Sequence, residues 1–501
     1  MRKEIIALTS VLLMLVVGAT FIDVSSESDA DSADGVWEVS DADSLVTAFA
    51  SATSGNTIRF TSTVSFTEIS DVPEGLTITS TVDASNQGII VVKKVTSDDK
   101  TYFGAFMNLS EIKSALSVNG EDIVELFCAP DSYLVANGNH TNLVLKDLIV
   151  HGNGSILVKS IASKGEEVTF AIQDPSNTNG TQPLNYPADV SMTFNDLKNL
   201  KVWGMRTCNM NLTLNINNCD SISEDGVKNS GLVMLNGGNF QGSTKTVLNI
   251  TGCELEKNNI GNVAIYVSTA CDVDISNCSF DEIPIAINLN PKSGTHGSNI
   301  SISDCVFNNC GHITDSSKFY GSTIRLSNAV QAPTMTEVSI DRCTFTNDIE
   351  HPTTNGNILV GDGRSNYQTY DMNVVIKNTA AEVQYMKPGF FSNPQTQPGG
   401  ITIYDTGDEN QMRVNNVDSD KILESTGWDA IISDAPIEGP DIPSTPENGD
   451  DDEDDYPFFP GTGNNSNSQS SDSNKTTLVA SAAAVVVIML AVVALMMTRN
   501  N

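Results

Sequence analysis

The chain has 501 residues and a formal net charge of −35 at pH 7, from 62 acidic and 27 basic residues. This balance argues against nucleic-acid binding, because neutralising phosphates requires clustered Lys and Arg. It is typical of a soluble extracellular surface or of a surface that meets cations. The length suffices for one large repeat domain or for two to three ordinary domains.

Residues 1–30 predict a secretory signal peptide. Two basic residues precede an apolar run from Ile5 to Val17, and small residues at Ala19 and near Ala30 offer cleavage sites. An uncleaved N-terminal anchor is the alternative interpretation. Either interpretation places most of the chain outside the cell.

A six-residue phrase, Ile-x-x-Cys-x-(Phe/Leu), recurs with uneven spacing through the middle of the chain. Full copies begin at Ile250, Ile275, Ile302 and Ile340, and a partial copy begins at Ile216. Apolar and polar residues alternate before each Ile, which predicts a strand with one buried face. Recurrence every ~25–38 residues predicts a solenoid in which each coil stacks on the previous one.

Each phrase also predicts a sharp corner. The Cys stands three residues after the Ile, out of phase with a continuing strand, so the intervening residues must bend. The residue before the Cys is Asn, Gly or Asp in four of the five copies, and these types tolerate a left-handed backbone. The same pattern without Cys predicts further coils, which begin at Ile78, Leu145, Phe194, Ile376 and Ile403.

The C-terminal part predicts a membrane anchor on a flexible tether. Leu478–Met497 has no charged residue and is long enough to cross a bilayer, so we predict one transmembrane helix at 477–498. Arg499 favours a cytoplasmic tail at 499–501. Residues 434–476, rich in Pro, acidic residues, Asn and Ser, predict a disordered tether. Residues 31–433 remain as the predicted β-helix ectodomain.

The nine cysteines and the sequons bear on the same topology. Five cysteines fall on one ladder, where we interpret them as small buried residues filling a corner, with stacked disulfides as the alternative.

Asn-x-Ser/Thr sequons are dense, as in exported surface proteins. The candidate N-glycosylation sites are Asn108, Asn139, Asn153, Asn179, Asn211, Asn249 and Asn299.

No catalytic constellation is recognisable. Asp196, Asp274, Asp304 and Asp341 each lie in or beside a corner phrase, where turns and solvated faces explain them. The five His residues form no pair at the sequence spacing of metal ligands. The acidic run Asp450–Asp455 lacks the glycine of a calcium loop, so calcium binding is only a weak alternative. The sequence therefore predicts no metal site and no cofactor, and it leaves enzymatic activity open.

The strand, the Asn-type corner, the small inward residue and the Phe together resemble the parallel β-helix repeats of the pectin-lyase-like superfamily. Val39–Phe60 and residues 109–127 resemble the helix-plus-strand units of such domains. With both targeting segments, the whole chain resembles adhesin-like surface proteins of methanogenic archaea. The resemblance implies an all-β, right-handed parallel β-helix displayed on the cell envelope. No catalytic residue is implied, because none of the superfamily's catalytic motifs is matched.

Three functions are compatible with these observations. The first is a membrane-anchored cell-surface protein that binds glycans or other surface ligands, such as proteins. The second is a polysaccharide lyase or glycoside hydrolase, and the third is a structural envelope component without a ligand. Three or more charged residues converging from adjacent coils on a concave face would favour the enzyme. A flat face of Asn, Ser and Thr would favour binding or structure.

Overall fold

A computed structural model of the chain provides the structure. It describes residues 35–116, 122–130, 132–136, 140–141, 143, 145–160, 169–171, 189–205, 211–221, 231–236, 246–256, 263–268, 271–289, 298–312, 322–326, 336–351, 353, 356–360, 372–385, 401–405, 412–415 and 431–433. The predicted signal peptide, tether, transmembrane helix and tail lie outside these residues. Within them, no helix is long and apolar enough to cross a membrane.

The described residues form two helices and thirty-two strands. The helices are α1 (Ala42–Ser51) and α2 (Leu109–Ala115). The strands are β1 (Val36–Val39), β2 (Thr57–Phe60), β3 (Val64–Glu68), β4 (Thr77–Ser80), β5 (Ile90–Val95), β6 (Thr101–Phe106), β7 (Ile123–Phe127), β8 (Tyr133–Ala136), β9 (His140–Thr141), β10 (Asp147–Ser160), β11 (Thr169–Ala171), β12 (Asp189–Lys198), β13 (Lys201–Met205), β14 (Asn211–Asn217), β15 (Val233–Asn236), β16 (Thr246–Thr251), β17 (Glu254–Glu256), β18 (Val263–Val267), β19 (Cys271–Ser276), β20 (Ser279–Asp281), β21 (Ile285–Leu289), β22 (Asn299–Ser303), β23 (Val306–Asn308), β24 (Ile324–Leu326), β25 (Thr336–Asp341), β26 (Thr344–Thr346), β27 (Ile358–Val360), β28 (Met372–Lys377), β29 (Ala381–Tyr385), β30 (Ile401–Asp405), β31 (Met412–Asn415) and β32 (Ile431–Ser433).

The fold is all-β; successive coils contribute strands to a long sheet and to a second sheet, and four of these coils also contribute to a short sheet. The long sheet has the order β3-β6-β5-β7-β10-β12-β14-β16-β19-β22-β25-β28-β30, with β8 paired to β10. The second sheet runs from β32 to β9, and the short sheet has the order β17-β20-β23-β26. From β7 to β30 every neighbouring pair in the long sheet is parallel. Long parallel sheets of this kind fit a β-helix.

The isoleucines of the repeated phrase stack in one line, as predicted. The register of the long sheet pairs Ile216 with Ile250, Ile250 with Ile275, Ile275 with Ile302, and Ile302 with Ile340. All five side chains are buried in the main core. Because the strands lie ~4.8 Å apart, each isoleucine packs on its counterparts in the coils above and below.

The predicted corner is also confirmed. The residue before each ladder Cys has a left-handed backbone, with φ of 52° at Asn218, 67° at Gly252, 54° at Asn277, 52° at Asp304 and 50° at Arg342. Arg is an unusual residue for this conformation. Its guanidinium makes two 2.7 Å hydrogen bonds to the Asp304 carboxylate of the neighbouring corner, which fixes the side chain across the two coils.

Two of the copies that lack Cys keep the same register. Phe194 pairs with Ile216 and is followed by Asp196, whose φ is 57°. At the other end, Ile376 pairs with Ile340 and is followed by Asn378, whose φ is 47°. In both coils the corner is made by an Asn or Asp, so the structure confirms that the corner does not require cysteine.

Three other copies were predicted in the wrong place. Val150, rather than Leu145, takes the ladder position beside Phe194. Ile403 pairs with Val374, two residues before the ladder isoleucine of that coil. Ile78 lies in β4, in a separate small sheet of order β1-β2-β4. At Ile403 the shift of two residues leaves the inward face unchanged, so the alternating pattern alone could not fix the register there.

The N-terminal part departs from the coil pattern. The helix-plus-strand units were predicted correctly as α1 followed by β2 and as α2 followed by β7. The antiparallel pairs of β6 with β3 and β5, and of β5 with β7, were not predicted. Strand β5 is buried on both faces, because Val92 belongs to the main core and Val91 to a second core with Leu45 and Phe49. The second core therefore covers the outer face of the long sheet at this end.

The ladder cysteines are free, buried thiols, and the other three described cysteines are also buried. Burial raises the pKa of Cys219 to about 12. Contact with the Cys253 thiol is the main cause that raises the pKa of Cys278 to about 12. A thiol must lose its proton to act as a nucleophile or a metal ligand, so these residues serve as apolar filling of the corner.

Candidate functional site

The outer face of the long sheet carries a groove of about 500 Å³ that crosses five strands, β16, β19, β22, β25 and β28. Along each strand the alternate residues, such as Val273, Ile300 and Val338, are buried in the core, so their neighbours face outward. We call this the outer groove. Its polar lining residues are Asn249, Asp272, Asp274, Asn299, Ser301, Glu337, Ser339 and Lys377.

Three carboxylates belong to the outer groove. Asp272 and Asp274 lie on β19, two residues apart and so separated by ~6.6 Å along the strand. Glu337 pairs in register with Asn299. The backbone N–H of Asn299 donates to Asp272 Oδ1 at 3.1 Å, which places Asn299 between the two acids. Asp274 and Glu337 are exposed, and Asp272 is half-buried.

A buried serine holds the three central strands of the groove in place. The Ser298 hydroxyl accepts a hydrogen bond from the backbone N–H of Cys271 at 3.2 Å. The backbone carbonyl of Ser298 accepts a hydrogen bond from the backbone N–H of Glu337 at 3.0 Å. Because Ser298 directly precedes β22, the outward side chains of β19, β22 and β25 keep fixed relative positions.

Hydrogen-bonded amides continue this face towards the N-terminus. Asn249 Nδ2 donates to Asn215 Oδ1 at 2.8 Å, and Asn215 Nδ2 donates to Thr193 Oγ1 at 3.1 Å. In a neighbouring row, Asn217 Nδ2 donates to Asn195 Oδ1 at 2.9 Å. Each amide is therefore oriented by its neighbour. These side chains would lose little conformational entropy when a ligand binds to this face.

The four aspartates considered in the sequence have different places. Asp196 and Asp304 occupy corners with a left-handed backbone, as predicted. Asp341 ends β25 and accepts a hydrogen bond from Asn378 Nδ2 at 3.0 Å. Asp274 lies beside the corner phrase, on the solvated face of β19 as predicted, and it also lines the groove. Asp272 and Glu337 were missed, although both occupy polar positions of an alternating strand.

A second group of charged side chains lies on the same face near the N-terminal unit. Glu125 accepts a 2.8 Å hydrogen bond from Lys93 Nζ, and its other oxygen is 3.6 Å from His151 Nε2. The His151 ring stacks on Phe127 with centroids 5.0 Å apart. His151, with Lys93, holds the pKa of Glu125 down at about 2. This cluster was not predicted from the sequence, because its members come from three strands.

We expect Glu125 to make stability depend on acid pH. Its pKa falls from an ordinary value of 4.5 to about 2 in the folded chain. The stabilisation is therefore complete above the ordinary pKa, declines below it, and is lost as the pH falls through about 2. Urea midpoints measured above, within and below that window should show the decline. Glu125→Gln should lower the midpoint above the window and flatten the decline, and an unchanged decline in this variant would contradict the assignment.

Two histidines come together although the sequence separates them. The His312 and His351 rings pack edge to face with centroids 5.7 Å apart. His351 Nδ1 is 2.8 Å from Asp348 Oδ1, an interaction within a single turn. Among the described residues, no group of three His, Cys, Asp or Glu side chains could hold a metal ion.

The described sequons differ in the exposure of their Asn. Asn211 and Asn299 are exposed on the outer face, and Asn249 is half-buried there. Asn108 is 8% exposed, and its amide caps α2 by accepting from the Glu111 N–H at 3.0 Å. Asn139 and Asn179 lie outside the described residues, and Asn153 lies in β10. A glycan on Asn108 would attach to Nδ2, which in the folded chain donates to Glu111 Oε1 at 2.9 Å.

The outer groove thus combines both features that distinguish the candidate functions. It has three acids on two strands, and it also has the Asn and Ser surface expected of a binding face. Comparison of the chain with protein-family models, with curated proteins and with solved structures gave no match. The resemblances to pectin-lyase-like β-helices and to archaeal adhesin-like proteins therefore stay predictions.

Proposed function

We propose that this chain is an exported surface protein, anchored by its predicted C-terminal helix, that binds a glycan in the outer groove. The observation that carries the proposal is the set of oriented polar side chains that adjacent coils present around one open groove. Sugar rings carry several hydroxyls, each a donor and an acceptor, and carboxylates and amides bind such groups in pairs. No redox or metal chemistry is needed for this function.

The repeat of the coils fits a polymer better than a small molecule. Equivalent outward positions recur every ~4.8 Å across the strands, which is close to the width of one sugar ring. A glycan that lies along the stack of coils would therefore meet a similar set of groups at each ring. The carboxylates of Asp272, Asp274 and Glu337 would repel an anionic polysaccharide. The proposed ligand is accordingly a neutral or amine-bearing oligosaccharide.

Glycoside hydrolysis is the second candidate. Asp272 and Asp274 present two carboxylates from positions about 6.6 Å apart along one strand, and inverting hydrolases use two carboxyl groups ~6.5–9.5 Å apart. A general acid, however, usually stands in an apolar, water-excluding pocket. Asp274 and Glu337 are exposed and Asp272 is half-buried, so binding is favoured over hydrolysis.

We also propose that the solenoid is a right-handed β-helix of the pectin-lyase-like kind. Crossovers between parallel strands of one sheet are right-handed in about 98% of cases. The return of the chain to the same sheet once per coil, with corners made by Asn and Asp, supports this proposal.

The test uses the full chain in lipid nanodiscs on an array of neutral, amine-bearing and anionic oligosaccharides, with release of reducing sugars measured alongside. Asp272→Asn with Glu337→Gln should weaken binding at least about ten-fold, because hydrogen bonds to charged groups contribute about 1.5–3 kcal/mol. Glu254→Gln, on the exposed face of the short sheet, is the matched control and should leave oligosaccharide binding unchanged. Absence of binding to every oligosaccharide by the chain made without N-glycosylation would refute the proposal, and sugar release would favour the hydrolase.

A further inference from the structure

One sequon lies inside the outer groove with its acceptor side chain facing outward. Asn299-Ile300-Ser301 occupies the start of β22, and Ile300 is buried. Asn299 is exposed and Ser301 is half-buried, and both line the groove. Strand alternation therefore presents the acceptor amide and the hydroxyl two residues later on the same face as the carboxylates.

The Asn299 amide stands between two of these carboxylates. Its Nδ2 lies 3.4 Å from Asp272 Oδ1, and the residue pairs in register with Glu337 on the next strand. A sugar attached to this nitrogen would begin in the middle of the groove. We infer that N-glycosylation of Asn299 closes the outer groove and so controls access to it, an inference that rests on the proposed export of the chain.

The modification is compatible with the fold. A lipid-linked phosphorylated glycan would supply the sugar: its C1–O bond to phosphate breaks, a C1–Nδ2 bond forms, and one amide proton and the lipid phosphate leave. The remaining N–H of Nδ2 can still donate to Asp272. The backbone N–H of Asn299 also keeps its bond to that carboxylate, so the strand need not move.

Asn299 is better placed for this role than the other described sequons. Asn249 also lines the groove, but it is half-buried and its Nδ2 donates to Asn215 at 2.8 Å. Asn211 is exposed and lies at the start of β14, on the same face but outside the groove. It provides an internal comparison, because a glycan there should leave the carboxylates accessible.

The experiment measures access to the carboxylates without any glycan ligand. The full chain is produced in a glycosylating host, and its carboxylates are labelled with a carbodiimide and glycine ethyl ester. Peptide mass spectrometry then gives the occupancy of Asn299 and the labelling rates. Labelling of Asp274 and Glu337 should be at least about five-fold slower than in Ser301→Ala, because a glycan is bulky. That variant removes the sequon and keeps Asn299, and the exposed Asp281 should label equally in both.

Each outcome decides the inference. Equal labelling of the two proteins at full occupancy of Asn299 would overturn it, as would an empty Asn299 in a chain that carries a glycan at Asn211. A chain without a glycan at any sequon would overturn both this inference and the proposed export. Thr213→Ala, which removes the Asn211 sequon, should leave the labelling of Asp274 unchanged. Protection of the carboxylates, together with no oligosaccharide binding by the chain made without N-glycosylation, would refute the proposed function alone.

Discussion

Replacing Phe307 by Ala should lower the free energy of unfolding by about 3–5 kcal/mol, the range for removing a buried aromatic ring. Phe307 is 1% exposed and stacks between Phe280 and Phe345, with centroids 4.9 Å apart on each side. The substitution would remove both stacking contacts and leave a cavity that three coils share. Because the flanking strands are held by the sheet, the cavity cannot collapse easily.

Urea denaturation followed by circular dichroism measures this effect. Phe345→Ala is the matched control, since Phe345 carries the same kind of ring, lies at the end of the stack and is only partly buried. It should cost clearly less than Phe307→Ala. Equal losses for the two variants would show that the stack is not what stabilises this corner.

Asp220→Ala should cost about 3 kcal/mol, at the lower end of the range for breaking a buried ion pair by removing one partner. The Asp220 side chain is 4% exposed and pairs with Lys198, which is 25% exposed. Its Oδ1 also accepts a hydrogen bond from the backbone N–H of Glu254 at 2.9 Å. Glu254 begins β17, the edge strand of the short sheet. The preceding coil has no strand in this sheet, so the Asp220 carboxylate supplies the hydrogen-bond acceptor that such a strand would provide.

One variant separates the charge from the hydrogen bond, and a second serves as a control for the loss of an exposed carboxylate. Asp220→Asn keeps an acceptor for the Glu254 N–H and should cost less than Asp220→Ala. Asp281→Ala removes an exposed carboxylate from the next strand of the same sheet and should change stability by no more than about 0.5 kcal/mol. If Asp220→Ala behaves like Asp281→Ala in thermal unfolding, the proposed capping of the short sheet is wrong.

The sequence predicted the repeated part of the fold well, because a solenoid repeats the same local physics in every coil. Alternation before Ile250 and its counterparts identified the inward face, and the Asn, Gly or Asp that follows most of them identified the corner. The prediction weakened where a coil lost one of these signals. The predicted corner after Leu145 is absent, because β10 continues through Gly152, where a Cβ would lie 2.0 Å from the Asp196 carbonyl oxygen.

The candidate site was much less predictable. Asp272, Asp274 and Glu337 look like ordinary polar positions of alternating strands, and 63 residues of sequence separate Asp274 from Glu337. Their convergence depends on which residue of β22 pairs with which residue of β25, and a two-residue slip would move Glu337 along the groove. The cluster of Lys93, Glu125 and His151 depends in addition on an antiparallel strand that the repeat pattern does not contain.

The sequence by itself determined the all-β class, the inward ladder and the left-handed corners, because these follow from side-chain alternation and from backbone preferences over a few residues. Tertiary structure alone decided the register, the antiparallel N-terminal unit and the grouping of charges on the outer face. Those features depend on pairing between residues far apart in the chain, where many registers satisfy the same local pattern and only packing of the whole core selects one.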